Sequence, residues 1–451
     1  MKKMKRLFAL LLVLTMILPL ASCGGDLVTT NTQEDSSSSG SSDTTVQTGD
    51  FSILPEEKKG NPDPNTTYPV VTDKLTQEAV DAFPIANESM SIEERRNLCV
   101  EFFRYCQSFT WCPNITCAIG SRSLAKTNLY GGFPYQHDAT ASVYRYLEYY
   151  DPETGVLDMK AMCSEPKLFT NQCTWGSFWG WGRVINSSDN SWTATCTPKN
   201  GFLPVGPYQH DLDDYMGKGK DTFYICTSNG KDVMDRSYAL LEKADALVNH
   251  DITAGTYGAG HIMMVSGNNP ATRTVTVIDQ FSIRNACTDS AGASTTCEGR
   301  IDMAYTYDQL YENGYLPFTF KEFLYPEDPN YDPIEPSEVT ATFDTTAPSV
   351  TPEDLSKAKI QSNYIISDVF LTLTDAEGNL YYKNVIRAAH PTEVGNIDNA
   401  FSIDKIASLV KLAKKKELAS YAAADKFTVT ITCQIANGEK ITVYQGQLKT
   451  K

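Results

Sequence analysis

The sequence predicts an α+β protein: helices first, strands around a central histidine, then a small β-rich unit. Three observations carry this. The run from Asn171 to Val184 is apolar on every side and of helix length, the mark of a buried helix. The stretches Gly258–Val265 and Thr274–Gln280 read as two successive strands, the second alternating Val275, Val277 and Asp279 onto one face. Beyond residue 353, Val369–Tyr382 and Phe427–Gln445 read as hairpins, the second turning at Asn437-Gly438.

Residues 1–22 read as a signal peptide, with a basic start at Lys2, Lys3, Lys5 and Arg6 and an apolar stretch from Leu7 to Leu20 that is too short for a stable span. Leu20-Ala21-Ser22-Cys23 resembles a bacterial lipobox. That resemblance implies cleavage before Cys23, its lipidation, and a chain held on the extracytoplasmic face of the bacterial cell membrane. Two acyl chains suffice for stable anchoring. Residues 23–70, with the serine run Ser36–Ser42, are expected to form a disordered tether.

Residues 71–330 are expected to form the main domain, long enough for one good core. Ser91 with Glu94 three residues on is a capping-box pattern, opening a helix through Leu98, Val100, Phe102 and Phe103 to Cys106. Asp151–Gly155 is a turn. Helix signals return at Asp235–Ala246 and at Tyr307–Phe323, the latter broken at Gly314–Pro317. Residues 331–352, rich in Pro, Asp, Glu and Thr, read as a linker to a β-rich accessory domain at 353–451. There Ile403–Leu418 reads as an amphipathic helix whose lysines Lys414–Lys416 form a solvated face.

A net charge of −16 argues against nucleic acid as a partner, because such binding needs basic surface. Of the twelve cysteines, Cys112 with Cys117 and Cys287 with Cys297 are close enough in sequence to pair outside a cell. No cysteine or histidine cluster has zinc-ligand spacing, so neither metal nor cofactor is expected.

Chemistry concentrates on Cys173. It opens the apolar helix, where the dipole and free amides stabilise a thiolate and offer an oxyanion hole. Cys173, Ser177 and Gly180 share one helical face. Of five histidines (His137, His210, His250, His261, His390), His261 stands out, because a glycine turn leads it into a strand. Asp279 lies on the next strand, with Gln280 the neighbouring alternative. Nucleophile, base and orienter thus follow in chain order. Each has a plain structural rival: a small buried hydrophobe for Cys173, a turn histidine, and a strand-ending aspartate.

Gln172-Cys173-Thr174-Trp175, Gly260-His261-Ile262 and Val277-Ile278-Asp279-Gln280 resemble the CHAP family of cysteine- and histidine-dependent amidohydrolases and peptidases, and the related NlpC-type peptidoglycan hydrolases. The resemblance implies a papain-like fold, Cys173 as nucleophile, His261 as base and Asp279 (or Gln280) as orienter, with peptidoglycan or another peptide as substrate. Tyr130-Gly131-Gly132-Phe133-Pro134-Tyr135 resembles the substrate loop of the NlpC-type enzymes, so Tyr130, Gly131, Gly132 and Tyr135, with Trp175 beside the nucleophile, are the expected substrate contacts. Cys173 and His261 stand 88 residues apart, longer than a minimal domain needs; the excess falls in Ser187–Lys231. The same residue order also fits a transglutaminase-like acyltransferase, and a non-catalytic surface lipoprotein with a ligand-binding cleft is the third reading.

Overall fold

The computed structural model describes residues 62–119, 122–136, 141–162, 170–186, 202–209, 222–250, 260–288, 292 and 294–387, then 400–402 and 427–449. Cys23, most of the expected tether, His137, His210, His390 and the lysine-rich segment 403–418 lie outside them.

Ser91 caps the first long helix. Its hydroxyl accepts from the Glu94 amide while the Glu94 carboxylate accepts from the Ser91 amide at 2.8 Å, completing the expected capping box. A short helix α1 (Gln77–Asp81) precedes this α2 (Ile92–Ser108). Then come α3 (Val143–Tyr149), α4 (Met159–Met162), α5 (Cys173–Trp181), α6 (Thr222–Asn229), α7 (Lys231–Tyr238) and α8 (Tyr307–Glu312).

These helices accompany a sheet whose strands run, edge to edge, β5 (Tyr150–Asp151), β6 (Val156–Leu157), β1 (Thr110–Pro113), β4 (Tyr130–Gly131), β11 (Ser294–Thr306), β10 (Thr274–Thr288), β9 (Gly260–Asn269), β8 (Ala246–His250), β12 (Leu316–Phe320) and β7 (Phe202–Pro204). β8 through β11 form a continuous antiparallel run. A separate hairpin joins β2 (Cys117–Ile119) to β3 (Arg122–Leu124). The architecture is α+β, with helices and a largely antiparallel sheet around one core.

Two expected helices are corrected. The pattern at Asp235–Ala246 yields only α7, ending at Tyr238, because Asp245 is drawn onto Arg96 and the chain turns into β8. Tyr307–Phe323 is α-helical only to Glu312, with a single 3-10 turn at Lys321–Phe323. Its apolar second half is the strand β12, buried at every position and paired with β8 and β7, so burial rather than periodicity decides it.

The expected linker also contributes structure. β13 (Val339–Ala341) pairs with β15 (Lys359–Ser362), and β14 (Ser349–Val350) pairs with β20 (Lys440–Leu448). With α9 (Pro352–Lys357), β16 (Ile366–Thr374), β17 (Leu380–Arg387), β18 (Ala400–Ser402) and β19 (Thr428–Ile435), they make a β-rich unit around a second core. Both expected hairpins are there, as β16–β17 and β19–β20. The two units meet through buried polar groups: Arg145 faces Asp368 at 3.5 Å and Ser142 shares a hydrogen bond with Ser367 at 2.5 Å. Part of the expected tether is ordered as well, since Asp63 pairs with Lys126 at 2.9 Å.

Candidate active site

His261 and Asp279 sit on adjacent antiparallel strands, β9 and β10. The hairpin between them turns at residues 270–273, with Asn269 opposite Thr274. Nε2 of His261 lies 2.6 Å from Oδ2 of Asp279, and both side chains are buried. Arg300, directly across from Asp279 on β11, closes the group. Its Nε donates to Oδ1 at 2.8 Å, its Nη2 donates to Oδ2, and Nη2 is 3.5 Å from Nε2 of His261. The Phe281 ring packs edge-on to the imidazole at 4.9 Å and under the guanidinium at 4.1 Å.

This geometry fixes the tautomer. Arginine only donates and an ionised aspartate only accepts, so Nε2 carries its proton toward Asp279. A neutral His261 then has its lone pair on Nδ1, the atom able to take a proton. Burial alone would raise the Asp279 carboxyl, but the hydrogen bonds from Arg300 and His261 outweigh it and hold it below the usual carboxylate range. Burial likewise opposes the charge on Arg300, and the Asp279 carboxylate more than restores it.

Cys173 opens α5 as expected. Gln172 is the N-cap residue, and no side chain caps the helix. The position of Cys173 over the sheet follows from two glycines. A Cβ on Gly180 would lie 2.8 Å from Met264 Cε and 2.7 Å from Phe103 Cβ, and one on Gly176 would lie 2.9 Å from Gln280 Cβ. So Gly180 crosses β9 at Met264 while Gly176 crosses β10 at Gln280. Ile278 pairs with Met264, which places Gln280 level with Ile262. The helix therefore runs with β9. Cys173 opens this helix three residues before Gly176, about 4.5 Å back at the helical rise. Strand alternation turns His261 and Asp279 to the sheet face opposite Met264 and Gln280.

Gln280, the alternative orienter, faces α2 and α5. Its Oε1 accepts from Gln107 Nε2 at 2.8 Å and its Nε2 donates to the Phe133 carbonyl at 2.6 Å, so it bridges elements without touching the imidazole.

The expected substrate loop is packed into the core. Tyr130, Phe133 and Tyr135 are buried, as are Gly131 and Gly132. Trp111 stacks on Tyr130 at 5.0 Å, and its indole donates to the Gly132 carbonyl. Gly132 takes φ +63° against Gln107, a conformation glycine supplies without strain. Tyr135 pairs with Asn171, and Gln136 N donates to Asn171 O at 2.9 Å. The segment therefore braces the chain entering α5. Trp175 is buried too, packed against Phe178 and Trp179.

Sequence reasoning missed Arg300, Phe281 and Gln107. Phe281 stands two residues from Asp279 on one strand, which periodicity could have flagged. Cys112 is a free thiol pushed up to about 12 by burial, so it makes no bridge to Cys117. The side chains of Cys287, Cys297 and His250 lie outside the described set. Among the described residues, no group of three or more His, Cys, Asp or Glu could hold a metal, and no helix is long and apolar enough to cross a membrane.

Comparison of the chain with protein-family models, with curated proteins and with solved structures gives no match, so the functional reading rests on these residues.

Proposed function

We propose that the chain is a papain-like cysteine hydrolase of amide bonds. The observation that supports the reading is the buried His261–Asp279 pair, which leaves Nδ1 as the basic atom, together with Cys173 at the opening of α5, the helix packed against β9 and β10. In the proposed reaction Nδ1 takes the Cys173 proton and the thiolate attacks the amide carbonyl. Backbone amides of the uncapped first turn of α5 stabilise the oxyanion. The imidazolium then protonates the departing amine as the carbon–nitrogen bond breaks, leaving a thioester. Water, deprotonated by His261, releases a carboxylate and restores the thiol.

The substrate class comes from the resemblance to wall-lytic enzymes; the residues themselves support an amide. A lipid-anchored chain outside the cell that resembles wall-lytic enzymes meets peptidoglycan peptides, and its tether raises its local concentration there. The test is digestion of purified peptidoglycan by the chain beginning at Cys23, beside Cys173→Ala, read by mass spectrometry. New amine and carboxyl ends that vanish in Cys173→Ala support the reading, and their position names the bond. Fragments that survive Cys173→Ala would refute it.

A further inference from the structure

Both oxygens of Asp279 are taken. Oδ1 accepts from Arg300 Nε at 2.8 Å, and Oδ2 accepts from Arg300 Nη2 and from His261 Nε2 at 2.6 Å. A lone carboxylate beside an imidazole favours the imidazolium. Here the carboxylate is matched by a guanidinium that stays charged at every working pH. An imidazolium at His261 would face an ion pair of zero net charge, with the cationic nitrogen 3.5 Å from its own Nε2. Cross-strand register keeps Arg300 opposite Asp279, and Phe281 lies against both the guanidinium and the imidazole, so the arrangement is built by three strands rather than by a mobile surface pair. Arg300 is largely buried, which leaves solvent little room to screen it.

We propose that Arg300 is a positioning residue of this site: its two-pronged grip fixes the Asp279 carboxylate and balances its charge, so that His261 rests as a neutral base and becomes an imidazolium only on taking the Cys173 proton. The last step rests on the cysteine-hydrolase reading; the charge balance at His261 does not. The other polar groups described nearby are Tyr305 on β11, whose hydroxyl burial pushes up, Tyr315 ahead of β12, the uncharged Asn249 opposite His261 on β8, and the buried Glu298 two residues before Arg300 on β11. Glu298 is the one further carboxyl among these, and it accepts from the Tyr135 amide.

The test is an NMR titration of the His261 ring in the full chain, assigned by its loss in His261→Gln, together with the pH profile of Cys173 alkylation by iodoacetamide. In the wild type the ring is expected to titrate below the ordinary histidine value of about 6.5. Arg300→Gln is expected to raise that midpoint by about one pH unit or more and to carry the acid limb of Cys173 alkylation down in pH with it. Arg300→Lys, which keeps the charge and loses the fork, should hold the midpoint near the wild-type value. A residue that only braced the fold would lower stability and leave the titration in place. A wild-type midpoint above about 6.5 overturns the proposal whether or not the variants fold. So does an Arg300→Gln midpoint that stays put or falls. If His261 shifts as expected while Cys173 alkylates as an ordinary thiol throughout, the charge balance stands and the hydrolase reading fails.

Discussion

His261 Nε2 lies 2.6 Å from Asp279 Oδ2 across two neighbouring strands, and Arg300 holds the same carboxylate from the third. The contact joins residues 18 apart in sequence, and its geometry is set by the β9–β10 pairing, not by a flexible loop.

Replacing Asp279 therefore acts twice. Asp279→Asn keeps the shape but removes the charge facing Arg300. We expect turnover to fall by about 10²–10⁴, the range for losing acid–base assistance, and stability to fall by about 3–5 kcal/mol, because a buried cation is left unmatched. The depressed carboxyl also sets a pH sense: its stabilisation is present above the unfolded value of about 3.9 and is lost as pH falls through the folded one. Urea denaturation at pH 7 and pH 3 checks both, with the wild type losing more than the variant on acidification.

The glycines of α5 test how the helix opened by Cys173 is seated. Gly180→Ala should gain about 1 kcal/mol of helix propensity, yet its Cβ would meet Phe103 Cβ at 2.7 Å. Overpacking of about 1–3 kcal/mol wins, and we expect a lower melting temperature. Gly176→Ala presses on Gln280 in the same way. A rise in melting temperature for both would show that the helix does not sit as described.

Glu322 gives a pH dependence of opposite sign. Burial pushes its carboxyl from about 4.5 up to about 8. The folded state holds this proton more tightly than the unfolded state, so its contribution falls as pH rises from about 4.5 to about 8 and is level beyond that. Glu322→Gln should remove that slope, a difference on the order of 4 kcal/mol between pH 5 and pH 8. Parallel denaturation curves at both pH values would contradict it.

The β-rich unit is expected to be part of the folding unit and not a detachable module. Asp368→Leu removes the carboxylate facing the buried Arg145, at a cost of up to about 3–5 kcal/mol. The effect should reach the candidate site, because Ala141, just before α3, exchanges hydrogen bonds with Thr170 and Asn171 ahead of Cys173. Calorimetry should show one transition for both units, shifted as a whole in the variant.

Local signals in the sequence told most of this. The Ser91–Glu94 capping box and the Asn437-Gly438 turn depend on neighbouring residues, and both are where their patterns predict. The β9–β10 hairpin follows from alternation. Other features were hidden because they depend on distant partners. Arg300 reaches Asp279 only through the pairing of β10 with β11, whose two register shifts no periodicity reveals. Tyr130 to Tyr135 reads as a loop by composition, yet Trp111, Gln107 and Asn171 draw it into the core. β13 and β14 are short strands among turn-forming residues, recognisable only once β15 and β20 are placed.

The central claim is that His261 acts as the base for the Cys173 thiol. The most direct measurement is the rate at which iodoacetamide modifies Cys173 at pH 7, read by peptide mass spectrometry, in the wild type and in folded His261→Ala. A neighbouring base should make the wild-type thiol react at least about tenfold faster, since the thiolate is the reactive form. Equal rates in the two proteins would mean that the imidazole does not serve the cysteine, and the hydrolase reading would fall.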